Sequence, residues 1–344
     1  MEIKDIKPIN RYNNERMIQY ETEKRFNMKF QKSKVVIVGV GNVGATTAYS
    51  IINQGLCEEI VLIDVNKEKA VGEALDMQQA IHFMNRNMVV RAGEYADCKD
   101  ADIVIITASA PMPKDSNDRL EMLQPSIHIM KDIVSSVMGS GFNGIFIVVS
   151  NPVDIMTYLV WKFSGLPASQ VIGSGTALDT ARLCCSLASM YDLDSKSVHA
   201  YILGEHGDSE MVAWSSSTIG GKLLSDVLSD NAERTQNETE ESLLEQTKQA
   251  GWEIFSRKGN TCYGIAASTT AIVKSILFNE NRILPVSVLV NGIYGIENVY
   301  LSVPTILNGS GAKETVEIRL DEKEKKALLE SAALLKSIYT DLQV

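Results

Sequence analysis

From Lys34 onward, short runs of aliphatic and β-branched residues alternate with longer stretches in which apolar positions recur every three to four residues. The runs at 35–38, 60–63, 103–106 and 145–149 are apolar throughout, the pattern of strands covered on both faces in a parallel sheet. Between them, 43–54, 67–83 and 119–138 carry helical periodicity. A β-α-β-α order with crossovers of this length predicts an α/β architecture, a doubly wound parallel sheet over residues 34–174. Beyond it the pattern changes to helices at 177–191, 240–256 and 265–278, antiparallel strands at 283–290 and 299–306, and a charged amphipathic helix at 321–342. These predict a second, α+β substrate domain over residues 175–344.

Residues 1–33 stand outside that plan. They are polar and of mixed charge, with a second methionine, Met28, shortly before the first strand. They read as a peripheral extension, either an arm across a subunit interface or a frayed tail ahead of an alternative start. At 344 residues the chain has room for two domains whose cores need no disulfide. An excess of 43 acidic over 33 basic residues, net charge −10, lacks the electrostatic footprint of a nucleic-acid or anionic-membrane binder. The cysteines Cys57, Cys98, Cys184, Cys185 and Cys262 show neither C-x-x-C nor zinc-type spacing. No metal site is expected, and a reducing, cytoplasmic setting is. No apolar run is long enough to span a bilayer, and residues 1–30 lack the apolar stretch of a signal peptide.

Gly39-Val40-Gly41-Asn42-Val43-Gly44 follows the first apolar run directly and opens a helix. In that context the pattern is a dinucleotide loop of the Rossmann type. Its first glycine permits the turn, its second lets backbone approach a pyrophosphate, and its third lets helix and strand pack closely. The phosphates then sit at the helix N-terminus, where free N–H groups and the dipole favour an anion. Asp64, at the end of the next strand and about 20 residues past Gly44, is placed to accept hydrogen bonds from a ribose. Its charge would repel a 2′-phosphate, so NAD is expected over NADP. The plainer reading, a strand-to-helix turn with a surface aspartate, leaves the order of strand, loop, helix, strand and acid to coincidence.

Further motifs fall near where open α/β sheets place ligands. Asn151, before Pro152, reads equally as a helix N-cap or as a group that bonds substrate or the nicotinamide ribose. Asp179 and Arg182 share one helix face, as an ordinary surface ion pair or as part of a site. His206, in Gly204-Glu205-His206-Gly207-Asp208-Ser209, is the best general acid/base among His82, His128, His199 and His206.

The glycine loop, Asp64, 102–110, Asn151-Pro152-Val153-Asp154, Gly173-Ser174-Gly175-Thr176, 179–182, 204–209 and 259–264 occur in one order. Together they closely resemble the NAD-dependent L-lactate and L-malate dehydrogenases over residues 34–342, nearer the lactate branch. The resemblance implies NAD as cofactor and reversible hydride transfer between NADH and a small 2-oxo monocarboxylic acid. It implies His206 as proton donor, Asp179 as the group holding its tautomer and charge, and Arg182 as a planar fork for the substrate carboxylate. Arg119 would close with a lid of residues 111–118 and polarise the carbonyl. Thr261 and Asn151 would line the substrate. Around the dinucleotide the resemblance puts Gly39, Gly41, Asn42, Val43, Gly44, Asp64, Lys69, Tyr95, Ser109, Ala110, Val149, Asn151 and Ser174. A homodimer or homotetramer is implied on the same ground.

Two departures bear on specificity and regulation. Where the family carries glutamine with lactate or arginine with malate, this chain has Met112, in a lid one residue longer than the usual lactate pattern. A dicarboxylate would bury a second anion there without a cation, unless Lys114 turned inward. At about 1.4 kcal/mol per factor of ten, that cost disfavours oxaloacetate by at least ~100-fold, while a flexible methionine suits aliphatic groups. The second departure is the site at which many bacterial members bind fructose 1,6-bisphosphate: Cys184 stands in place of an arginine, with His199 retained, so weak or absent activation is expected. A cofactor-binding scaffold without catalysis would not need Arg119, Asp179, Arg182 and His206 together, and a related NAD-dependent glycosidase would need metal ligands.

Overall fold

In the computed structural model, which describes residues 32–110, 119–231, 233 and 238–342 (backbone alone for 119–122), the apolar runs form the centre of one sheet. The expectations for the N-terminal extension, for the lid and for Met112 fall outside the described residues. Strands β1 (Lys34–Val38), β2 (Glu59–Ile63), β3 (Val89–Ala92), β4 (Ile103–Ile106), β5 (Ile145–Val148) and β6 (Val171–Gly173) run parallel in the order β3-β2-β1-β4-β5-β6. The chain moves outward from β1 to β3, then returns to place β4 on the other side of β1. Loops leaving the carboxyl ends of β1 and β4 therefore border the crevice where the winding reverses. Val36, Ile37, Ile60, Leu62, Ile103 and Ile105 are wholly buried, which is why these runs show no polar alternation.

Three elements of this half stand outside the sequence-based expectations. Strand β3 is a four-residue edge with Val89 exposed, and β6 has three residues. The helix Val153–Ser164 buries Val153, Asp154, Ile155, Met156, Thr157, Leu159 and Val160. Its apolar positions 153, 155, 156, 159, 160 and 163 recur at helical spacing, so its signal is present in the sequence. Its N-cap is Pro152 without a side-chain cap, so the capping reading of Asn151 is not the one found, and Asn151 is exposed.

The second half begins with the helix Ala177–Tyr191 and the short strands β7 (Val198–His199), β8 (Ile202–Leu203), β9 (Met211–Val212), β10 (Thr218–Ile219) and β11 (Lys222–Leu223). Leu183, Leu187, Val198, Ile202 and Leu243 make a small core of their own there. The expected antiparallel pair follows as β12 (Arg282–Asn291) and β13 (Glu297–Asn308), extended by β14 (Gly311–Thr315). Strand β12 also pairs antiparallel with β6 at Ser287 and Gly173, so the hairpin continues the parallel sheet to nine strands. Gly173 is required at that seam, because a Cβ there would lie 2.4 Å from Thr157 Oγ1 and 2.8 Å from Ser287 Cβ. Residues from Ser33 onward form one compact unit, and no helix among the described residues is long and apolar enough to cross a membrane.

Candidate active site

The loop after β1 is built as its sequence demands. Gly39 has φ +96°, and a Cβ there would lie 2.7 Å from Ala108 N. A Cβ on Gly44 would come within 1.9 Å of Gly39 O, so the third glycine lets the helix Asn42–Gln54 pack on the turn. Gly41 differs, with nothing among the described residues within 4 Å of a Cβ. It is the N-cap of that helix, with no side-chain cap and no acid in the first turn. The leading N–H groups are thus without a side-chain cap beside the open space over Gly41, which suits an anion.

Side chains lace the strand ends around this loop. Asp64 accepts hydrogen bonds from the N–H groups of Val40 (2.7 Å) and Asn66 (2.9 Å). Thr107 Oγ1 donates to Gly39 O at 2.6 Å, and Ser150 Oγ donates to Ala108 O at 2.5 Å. Of the other predicted cofactor residues, Asn42, Lys69 and Ser109 are exposed, Val43 and Tyr95 half-buried, and Ala110, Val149 and Ser174 buried. All but Lys69, in the helix Lys67–Ala80, lie in or directly beside a loop that follows a parallel strand.

The second cluster forms around Asp179, buried in the first turn of the helix Ala177–Tyr191. Its Oδ1 accepts a hydrogen bond from Arg182 Nη1 at 2.8 Å, and its Oδ2 pairs with His206 Nδ1 at 2.6 Å. The backbone N–H of His206 donates to Asp154 Oδ2 at 2.7 Å, and Asp154 Oδ1 accepts from Ser287 Oγ at 2.6 Å. Behind the ring, Ser331 Oγ accepts from Glu205 N–H at 2.8 Å and lies 2.9 Å from Ser209 Oγ. Residues predicted from two separate motifs, Asp179 with Arg182 and His206, thus meet at the Asp179 carboxylate. Thr261 is half-buried in the loop before the helix Tyr263–Leu277. Arg119 opens the helix Arg119–Gly139, and its side chain is outside the described residues.

Sequence reasoning did not assign Asp154, Ser287, Ser331 or Glu210. For Asp154 there was a signal, a carboxylate inside an otherwise apolar segment. The electrostatics follow from burial and pairing. Burial opposes charge on His206, but the Asp179 carboxylate and its hydrogen bond outweigh it and push the ring up to about 9. Burial acts to raise Asp179 as well, yet His206 and Arg182 hold it below the usual carboxylate range. Asp154 is pushed up to about 6 by burial, against the hydrogen bonds from Ser287 and His206.

The family model for the lactate/malate dehydrogenase NAD binding domain matches residues 33–173. The model for the lactate/malate dehydrogenase alpha/beta C-terminal domain matches residues 176–343. The chain belongs to the lactate/malate dehydrogenase family. Among relatives, it is 48% identical over 309 residues to L-lactate dehydrogenase 3 of Bacillus cereus, covering 90% of this chain and 98% of that one. It is 46% identical to L-lactate dehydrogenase 2 of Lactococcus lactis, covering 92% and 100%. Among solved structures, a lactate dehydrogenase from a Medee basin deep-sea metagenome superposes with a TM-score of 0.88 at 46% identity, covering 91% and 100%. The minor L-lactate dehydrogenase of Enterococcus mundtii in its ligand-bound form gives 0.85 at 46% identity, covering 90% and 98%.

As a member of this family the chain uses NAD as its cofactor. The residues fit the group. The open space over Gly41 and the uncapped helix behind it suit a pyrophosphate, and Asp64, anchored by two backbone N–H groups, leaves lone pairs for ribose hydroxyls.

Proposed function

We propose that this chain is an L-lactate dehydrogenase that reduces pyruvate, or a longer aliphatic 2-oxo acid, and runs in reverse on the L-2-hydroxy acid. The observation that carries this reading is the contact of Arg182 and His206 through one buried carboxylate, Asp179. NADH, when bound, supplies the hydride. His206 holds the proton for the developing alkoxide: its Nδ1 faces Asp179, which leaves Nε2 to donate. Asp179 keeps that ring protonated and fixed in orientation, as its own depressed pKa implies. Arg182, anchored on one side by Asp179, offers its remaining N–H groups to the substrate carboxylate. Arg119 is assigned to the carbonyl oxygen, Met112 to the substrate's side chain, and Asn151 and Thr261 to the pocket wall, on their motifs. The organisation we propose is an extension at 1–33, a cofactor part at 34–174 and a substrate part at 175–344.

The test is NADH oxidation with pyruvate, 2-oxobutyrate, 4-methyl-2-oxopentanoate and oxaloacetate. A monocarboxylic acid should give the highest kcat/KM, and oxaloacetate in first place would overturn the assignment of Met112. His206→Asn should bind NADH nearly as before while kcat falls by about 100-fold or more. Fructose 1,6-bisphosphate should lower KM little, since Cys184 is buried with its thiol directed to Val198 O at 3.6 Å. We further propose a cytoplasmic homodimer or homotetramer, to be checked by light scattering.

A further inference from the structure

We propose that Glu210 is a third member of the His206–Asp179 pair, a buried carboxyl whose charge keeps the proton on His206 as the solution turns alkaline. Glu210 immediately precedes β9, which pairs with β8, so it and His206 occupy one tight loop between two paired strands. Its backbone N–H donates to Gly207 O at 3.3 Å, folding the loop back on itself. One carboxylate oxygen of Glu210, one of Asp179 and a ring nitrogen of His206 all lie within 4.8 Å of one another. Glu210 is 5% exposed, and its Oε1 has no hydrogen-bond partner among the described residues. A buried, unpartnered carboxyl oxygen is costly and calls for an explanation. Glu205, the nearer acid in sequence, is engaged elsewhere, accepting from Ser209 Oγ at 2.6 Å.

The groups around the pair set its behaviour. His206 is faced by Asp179 and Asp154, and Glu210 by Asp179, Arg182 and Lys248, whose Nζ donates to Asp208 O at 2.7 Å. Burial, then the Asp179 carboxylate, push Glu210 up to about 8. Near neutrality Glu210 is therefore mostly uncharged, Asp179 carries the negative charge of the cluster and His206 its positive charge. As pH rises, Glu210 gives up its proton first, and the new charge a few ångströms from the imidazolium delays loss of the second. Glu210 is thus a positioning residue: it acts through His206, and its removal shortens the pH range over which His206 can donate.

For the kinetic arm this inference rests on the reaction proposed above; the direct arm does not. With only four histidines in the chain, ring carbons labelled with 13C in the full-length protein can be followed by NMR, the His206 signal being assigned by its loss in His206→Asn. Glu210→Gln should lower the His206 titration midpoint by about one pH unit. Glu210→Asp, which keeps the charge, should move it by roughly a third as much. The alkaline limb of kcat/KM for 2-oxo acid reduction should fall in step in Glu210→Gln, with the Kd for NADH unchanged. An unmoved His206 midpoint in Glu210→Gln, or an equal shift in both variants, would overturn the proposal. If Glu210→Gln does not fold, Glu210→Met takes its place as the neutral variant with the same expected shift. A shifted midpoint in an enzyme that turns over no 2-oxo acid would sink the proposed reaction and leave the pairing standing.

Discussion

His206 is held on both sides by residues far from it in the chain. Its N–H is anchored by Asp154, itself fixed by Ser287, 133 positions away. On the other side Ser331, in the terminal helix Glu322–Asp341, bonds the N–H of Glu205 across 126 positions. A Cβ at Gly204 would come within 2.7 Å of Ser331 Oγ, so Gly204 gives this serine its room. Ser331→Ala leaves the half-buried Glu205 N–H without its partner, which costs about 1 kcal/mol of stability. It should also loosen the loop, so that kcat falls by several-fold while KM for NADH stays near its original value; thermal unfolding and steady-state rates check both. Asp179, Arg182 and His206 were legible in the sequence because each is a chemistry-bearing type inside a short motif. Ser287, Ser331 and Glu210 were not, since a serine or glutamate among ordinary neighbours gains its role only when the fold brings a distant segment beside it.

The glycine loop divides its work among elements, and the division is testable. A Cβ on Gly44 meets Gly39 O at 1.9 Å and Thr107 Oγ1 at 2.7 Å. Gly44→Ala must therefore push the helix Asn42–Gln54 away from the turn, and it should lower Tm and weaken NADH binding together. A Cβ on Gly41 meets no atom of the described residues within 4 Å, and its φ of −68° is one any residue adopts. Gly41→Ala should leave Tm nearly unchanged while raising the Kd for NADH by about tenfold or more, since the methyl group occupies the space assigned to the pyrophosphate. Fluorescence titration with NADH beside a melting curve separates the two; a Gly41→Ala protein that binds NADH normally would refute the placement of the phosphates. The loop, its strand and its helix were readable because their spacing is fixed by local geometry. Strands β3 and β6 were too short to carry a period, whereas the helix Val153–Ser164 did carry helical spacing, at 153, 156, 160 and 163, and could have been read from it. The attachment of β12 to β6 depends on a single pairing, Ser287 with Gly173, which no local pattern encodes.

At the scale of the whole molecule, the buried site couples chemistry to stability. His206 is raised from 6.5 to about 9, so the native state holds a proton that the unfolded chain releases at lower pH. The stabilisation this gives is fully present below pH 6.5 and is lost as pH rises through about 9, on the order of 3 kcal/mol at 1.4 kcal/mol per unit. Glu210, raised from 4.5 to about 8, and Asp154, raised from 3.8 to about 6, lean the same way, because each favours its protonated form when buried. Asp179 acts oppositely, adding stability that is lost only as the solution becomes acid. The net charge of −10 grows more negative on the alkaline side and adds self-repulsion to the same trend. The unliganded protein should therefore lose Tm steadily between pH 6.5 and about 9. His206→Asn separates the two contributions, since it removes the ring and keeps the surface charge: its Tm should fall less over that interval than the wild-type value. Equal slopes in the two proteins would mean that the His206–Asp179 pair contributes nothing to the alkaline loss, which would then belong to Glu210 and the surface charge.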